Sequence, residues 1–471
     1  MDRLNIPRAH LATAPRPTRS AAPEPGTLAI DQQTFRDLEI FEAQDGQPGL
    51  FRLLDRARTR GGAEVLRKRF LAPSSDPRRI RAVQAAVRFI VEHRAAFNGL
   101  PGQYAVSTFE NYNHWRLVAP VSHHPVAAVV DAVQMLLESY PQYQQIGRGA
   151  RETARMLAAL RRLTEDPELA AAPGELGTLL AEVREILARP ALAALPRTRE
   201  ERWRVWRILA VDRVLRGPEK PSLERLRELL FQLDALSSMA RSTREYGFVF
   251  PEVVDGPPRI QAEGLVHPLV DEAVANPLAL DREHRLFFLT GPNMAGKTTY
   301  LRASGIALYL AHLGMGVPAS SFRFAPCAAL FTSINLTDNV RAGISFFEAE
   351  ALRARDIAAA VAAGIRVVAL LDEPFKGTNV KDAMDASRAF LSRLAAREQS
   401  LFLASSHLIE LAEPLQANGV TTCWRFEATE VDGQLAFDYV LRPGISAQRL
   451  GMKVLEQKGV FELLDAADAP E

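Results

Sequence analysis

Two cysteines, Cys327 and Cys423, are all that a chain of 471 residues contains, which excludes a disulfide framework and a cysteine-based metal site. No uninterrupted apolar run reaches roughly 18 residues, so no membrane-spanning helix and no membrane partner are expected. The first 27 residues are rich in Pro, Ala and Arg but lack an apolar core, which argues against a secretory signal and for a cytoplasmic protein. Net charge is nearly absent too, at +1 from 57 Lys+Arg and 56 Asp+Glu. What is there is the balance of an ordinary folded chain, 47% hydrophobic and 24% charged, so wholesale disorder is out. Its length allows two or three domains.

The neutral total conceals a division. Residues 36–250 carry 33 Lys+Arg against 26 Asp+Glu, and residues 251–471 carry 20 against 27. A basic front and an acidic back raise the question of a polyanion partner. The texture of the chain changes at the same place. Residues 1–35 form a Pro-punctuated polar stretch that reads as a flexible tail. Residues 36–245 repeat Leu and Ala at spacings of three and four between scattered prolines, which predicts an all-α domain. Its clearest helix follows Pro221-Ser222, with Ser222 as N-cap and Leu223, Leu226, Leu230, Leu233, Leu236 and Ala240 on one face. Residues 246–471 alternate β-type runs (285–290, 366–372 and 400–405) with helical segments (297–313 and 346–363), which predicts an α/β domain with a mostly parallel sheet.

Inside that second domain stands Gly291-Pro292-Asn293-Met294-Ala295-Gly296-Lys297-Thr298-Thr299, the G-x-x-x-x-G-K-[ST] phosphate-binding loop. Glycines let the backbone wrap phosphates with its N–H groups inward, Lys297 reaches the β- and γ-phosphates, and the Thr298 hydroxyl is a Mg²⁺ ligand. An apolar strand precedes the loop and a helical pattern comes after it, as the chemistry requires. The run Val367–Leu371 ends in Asp372-Glu373, which delivers Asp372 to Mg²⁺ and Glu373 to the attacking water. A third strand ends at Ser405-Ser406-His407, where His407 is placed to sense the γ-phosphate. ATP and Mg²⁺ are the ligands this set calls for.

The segment TGPNMAGKTTYLR resembles the ATPase domain of the MutS family of DNA mismatch-repair and related proteins. The resemblance extends in order to Val266-His267-Pro268-Leu269, Ala275-Asn276-Pro277-Leu278, residues 337–347, DEPFKGTN at 372–379, Ser405-Ser406-His407, Tyr439, Gly444-Ile445-Ser446 and Gly451. Upstream, Leu38-Glu39-Ile40-Phe41, Thr59-x-Gly61-Gly62 and the stretch from Arg78 to Val87 look like the opening of its core domain, and the helix at 222–243 like its lever. The resemblance implies a helical core/lever domain followed by a P-loop NTPase domain of the ABC type. It implies a homodimer in which Gly343 and Ser345 approach the γ-phosphate bound by the other subunit, with Thr378 and Asn379 at the interface. It further implies that Tyr439 stacks on adenine and that His267 orders the segment before the loop. Hydrolysis in such a dimer rotates the ATPase pair, and the helix at 222–243 carries the change into the helical domain.

The departures matter as well. Ala295 replaces a glycine of the family's loop, tolerable if its φ stays negative, and Phe346 replaces a hydroxyl residue. About 35 residues precede the core domain, no Phe-x-Glu wedge stands in the right setting, and no clamp sequence stands between 90 and 220. A shortened MutS-like protein without mismatch specificity is therefore expected. Two arginine clusters remain as DNA contacts: Arg52 to Arg81, and Arg197 to Arg216, where Arg199, Arg202, Arg204 and Arg207 interleave with Trp203 and Trp206. Solvated helix faces paired with Glu200, Glu201 and Asp212 account for the same pattern. Two functions stay open: a DNA-acting ATPase in repair or recombination, binding duplex or branched DNA, and a nucleotide-switched scaffold that binds none. A transport ATPase is disfavoured, since residues 337–347 hold no L-S-G-G-Q.

Overall fold

A computed structural model gives the fold and describes residues 26–43, 46–115, 125–195, 205–336, 345–431, 434–446, 448 and 450–467. Among these, the chain from Gln32 to Glu245 is helical apart from isolated bridges, and strands begin at Glu252. The long helix Lys220–Glu245 is the axis of the helical part, packed on the helices Arg60–Leu71, Pro77–Glu92 and Gly174–Leu187. Its predicted stripe is buried throughout, but so are Leu229, Ala235, Ser238, Met239 and Ser242. From Leu233 to Ala240 every residue is buried. Such a stretch needs small and apolar residues all round, not one face. The helix starts two residues before the expected cap. Glu219 precedes it, Pro221 sits in its first turn, and Ser222 lies inside.

The Thr59-x-Gly61-Gly62 pattern acquires its reason here. A Cβ on Gly61 would stand 2.3 Å from the Phe231 ring, and one on Gly62 would stand 2.3 Å from Asp234 Oδ2. Only glycines let the helix Arg60–Leu71 approach the long helix so closely. The fully buried Asp234 carboxylate uses that approach to hold the start of the neighbouring helix. It accepts from Arg58 N (3.0 Å), Thr59 N (2.9 Å) and Thr59 Oγ1 (2.8 Å), while Thr59 Oγ1 accepts from Gly62 N.

The α/β part holds a six-stranded sheet in the spatial order Arg442–Pro443, Thr421–Arg425, Leu286–Thr290, Leu401–Ser405, Val367–Asp372, Ala329–Ser333. All pairs are parallel except the short first one. The three expected strands and two expected helices are present, the helices as Lys297–His312 and Phe346–Ala362. Strands buried on both faces read as continuous apolar runs, which is why they were legible. A second sheet of four strands, in the order Glu252–Val253, Ser321–Phe324, Ile260–Leu265 and Asn276–Leu280, packs against the helix Lys297–His312.

The reading of 1–35 as a flexible tail needs correction for its last residues. Ala29 pairs with Ala329 at the sheet edge, Thr27 bridges Ser74, Leu28 is buried, and a helix runs Gln32–Asp37. The apolar Leu28-Ala29-Ile30 extends the sheet. Arg353 fastens the start of that helix by an ion pair to Asp31 and a 3.0 Å bond to Thr34 Oγ1. Residues 1–25 lie outside the described residues.

Asp234→Ala removes the acceptor for three donors at a buried helix junction. It should lower the unfolding free energy by about 3 kcal/mol, read as a shifted urea midpoint at unchanged m-value. A loss below about 0.5 kcal/mol would show that water replaces the carboxylate.

Candidate functional site

The predicted loop connects the strand Leu286–Thr290 to the helix Lys297–His312. Its turn is made by Gly291 at φ +151°, Met294 at φ +69° and Gly296 at φ +95°. Gly291 has no alternative, because a Cβ there would meet Phe426 O at 2.9 Å. Ala295 is buried and is not among the positive-φ residues, so the missing glycine costs nothing, and Met294 takes the left-handed position instead. The Lys297 side chain folds back along the loop, donating to Gly291 O at 2.9 Å and Pro292 O at 3.0 Å. Burial pushes its ammonium down, opposed by Glu373 and Asp372.

Sheet register brings the acidic residues to the loop. Asp372 pairs with Ser405, and Ser405 with Leu289, so three strand ends meet at one level. One Asp372 oxygen accepts from Thr298 Oγ1 at 2.6 Å and the other from Ser405 Oγ. Glu373 stands in the left-handed region at φ +49°, its N–H bonded to Ser405 O at 3.0 Å. That geometry turns it off the strand line towards His407, whose Nδ1 is 3.4 Å from Glu373 Oε1. The His407 hydrogen bond holds the Glu373 carboxyl below its ordinary range against burial, and Glu373 raises the imidazole of His407 in return.

Lys297, Thr298, Thr299, Asp372 and Glu373 line one cavity of about 590 Å³, with Tyr439, Asn293, Met294 and Gly296 at its rim. Tyr439 is 44% exposed at φ +54°, its ring stacked on Phe437 with centroids 6.2 Å apart. His267 also lines the cavity. Burial and Arg302 pull it down to about 4, leaving it neutral, and its Nδ1 accepts from Leu269 N at 3.3 Å. A second hollow of about 840 Å³ lies on the other side of the loop, lined by Gly291, Pro292, His407, Val380 and Val454 of the helix Gly451–Gln457.

Several participants escaped the sequence reading. Asn276 fixes the Tyr439 backbone, donating to Tyr439 O at 2.9 Å and accepting from Leu441 N at 2.7 Å. Lys376 and Asn335 line the cavity, and Asn335 N donates to the buried Asp37 carboxylate at 3.1 Å. In the sequence Asn276 stands only within the run Ala275-Asn276-Pro277-Leu278, where a polar residue begins an otherwise apolar strand and nothing assigns it a role. Phe346 also gains an explanation: Gly377 packs against its ring, and the Lys376 ammonium lies 5.8 Å from the ring centroid.

Other expected residues are not brought to this cavity. Ser345 is exposed and caps the helix Phe346–Ala362, accepting from Glu348 N at 3.3 Å, and Gly343 lies outside the described residues. Arg199, Arg202 and Arg204 also lie outside them, and Arg207 is half-buried with a partner. The first arginine cluster is partly engaged within the fold: Arg56 with Glu245 at 2.6 Å, Arg81 with Asp255 at 2.7 Å, Arg69 with Glu175.

Residues 33–240 match the family model described as MutS domain III, and residues 287–469 match that described as MutS domain V. Among the described residues no helix is long and apolar enough to cross a membrane.

The His407–Glu373 contact has a measurable consequence. His407→Ala removes the hydrogen bond and charge that depress the Glu373 carboxyl, so its pKa should rise. Carboxyl ¹³C NMR of the two proteins checks it, and an unchanged Glu373 titration would refute the coupling.

Proposed function

The chain belongs to the MutS family, and from that premise we propose that it is an ATP-hydrolysing, DNA-binding protein working as a homodimer through its α/β domains. The observation that carries the ATPase reading is the convergence of Lys297, the Thr298–Asp372 pair and Glu373 around one cavity at the carboxyl ends of parallel strands, with His407 behind Glu373 on the side of the second hollow. The loop then acts as a P-loop, its Gly291-to-Gly296 backbone cradling phosphates at the start of the helix Lys297–His312. Lys297 exchanges its two carbonyl contacts for phosphate oxygens.

The donor set fits Mg²⁺. A hydroxyl and a carboxylate 2.6 Å apart are hard oxygen ligands of the type that ion selects. When bound, Mg²⁺ neutralises charge on the β- and γ-phosphates. Glu373, its carboxyl held below the ordinary range by His407, accepts a hydrogen bond from the attacking water and orients it in line with the γ-phosphate. His407 holds that carboxylate in place. Tyr439 offers its half-exposed face to adenine.

The dimer reading is supported by position. Ser345 is exposed and does not line its own chain's cavity, as expected of a group, with Gly343, that serves a partner's γ-phosphate. Exposed Met294 and Val380 border the second hollow, next to Thr378 and Asn379. Contact with duplex or branched DNA rests on the family and on the basic surplus of residues 36–250.

Glu373→Ala should lower kcat for ATP at least about 100-fold while ATP still binds. Lys297→Ala should lose ATP binding itself, measured by calorimetry. Either variant hydrolysing at the parental rate would refute the site. Affinity for duplex and branched DNA should fall linearly on a log–log plot against salt. A flat response on every DNA would leave the nucleotide-switched scaffold in its place.

A further inference from the structure

Away from the ATP site, a small cavity of about 100 Å³ lies between the end of the helix Pro77–Glu92, the turn Arg94–Phe97 and the last turns of the long helix. Three arginines line it, Arg94, Arg241 and Arg244, together with Ser237 and apolar groups of Ile90, Val91 and Phe97. Among the described residues, no carboxylate lines it. Two polar groups here have no hydrogen-bond partner among those residues: Ser237 Oγ, on a residue only 1% exposed, and Arg241 Nη2.

Such groups are rare in folded proteins, because a buried donor without an acceptor costs about 1–3 kcal/mol. Here they sit together and beside surplus positive charge. Arg241 has its other nitrogen committed to Arg56 O at 2.8 Å, and the Asp234 carboxylate is 4.0 Å away and already accepts three donors from Arg58 and Thr59. Burial, with Arg58 close by, works against the charged state of Arg241. Glu245, the carboxylate next to Arg244 in sequence, is taken by Arg56. An anion in the cavity would answer the orphan hydroxyl and the orphan guanidinium nitrogen at once, beside two further arginines.

We propose that this cavity binds one phosphate group, held by Arg241 and Ser237 inside and by the exposed Arg94 and Arg244 at the mouth. The volume is several times what a single water needs, enough for a tetrahedral oxyanion. The group comes either as free phosphate or as a backbone phosphate of a nucleic acid strand lying across Arg94 and Arg244. The proposal does not rest on the ATPase reading, and its test separates the two sites.

The experiment titrates sodium phosphate against sodium chloride at matched ionic strength, following the melting temperature and ³¹P line width. It uses the Lys297→Ala protein and, in parallel, the parental protein saturated with ADP and Mg²⁺, so that the loop at 291–298 does not report. A saturable response is expected in both. It should weaken at least tenfold in Arg244→Gln, whose side chain is exposed, and in Ser237→Ala. A 20-base-pair duplex that competes with phosphate and loses affinity in Arg244→Gln identifies the backbone phosphate as the source. A duplex indifferent to Arg244→Gln identifies free phosphate. No saturable response beyond chloride, or an equal response in Arg244→Gln, overturns the proposal.

Discussion

The site depends on one half-buried carboxylate, Asp372, gripped by two hydroxyls from different elements. Thr298 Oγ1 belongs to the helix after the loop, and Ser405 Oγ to the neighbouring parallel strand. A carboxylate drawn out of water is tolerable only with its oxygens satisfied. Because each oxygen is satisfied from a different side, loop helix and strand ends are held at one level. Lys297 and the Glu373–His407 pair take their positions from that level. Parallel pairing sets the strand ends, the loop glycines set the approach of the helix, and Asp372 joins them.

The helical part is tied to the same place through residues expected to be a tail or the plain opening of a domain. Asp37 is fully buried and accepts from Thr332 Oγ1 at 2.6 Å, Ile334 N at 3.0 Å and Asn335 N at 3.1 Å. It therefore holds the end of the strand Ala329–Ser333, on the way to residues 337–345. Two residues further, Glu39 pairs with Arg302 on the helix Lys297–His312 at 2.9 Å. Leu38, between them, fills the space opposite Gly305, where a Cβ would stand 2.6 Å from Leu38 and from Leu370. Asp37 thus holds Ile334 and Asn335, which line the cavity, while Leu38 and Glu39 pack on the helix that follows the loop.

Much of this was legible because its chemistry is local. The loop, the strand ending in Asp372-Glu373 and the strand before His407 announce themselves by glycine spacing and apolar runs. What escaped depends on contacts between distant parts of the chain. The role of Asn276 needs Tyr439 and Leu441, far off in sequence. Residues 28–30 are a short apolar run next to a Pro-punctuated polar stretch, yet Ala29 pairs with a sheet edge 300 residues away. Composition alone cannot separate Arg56 or Arg69, which are ion-paired within the fold, from Arg94 and Arg244, which line a cavity. Periodicity likewise recovered one stripe of the long helix but not the burial of 233–240 on every side.

The central claim is that Asp372 and Thr298 form the metal end of a nucleotide site. ATP affinity measured with and without Mg²⁺, in the parental protein and in Asp372→Asn, tests it. Mg²⁺ should tighten ATP binding to the parental protein at least tenfold, about 1.4 kcal/mol. The variant should bind metal-free ATP comparably and gain nothing from the ion. Equal tightening in both proteins would contradict the claim.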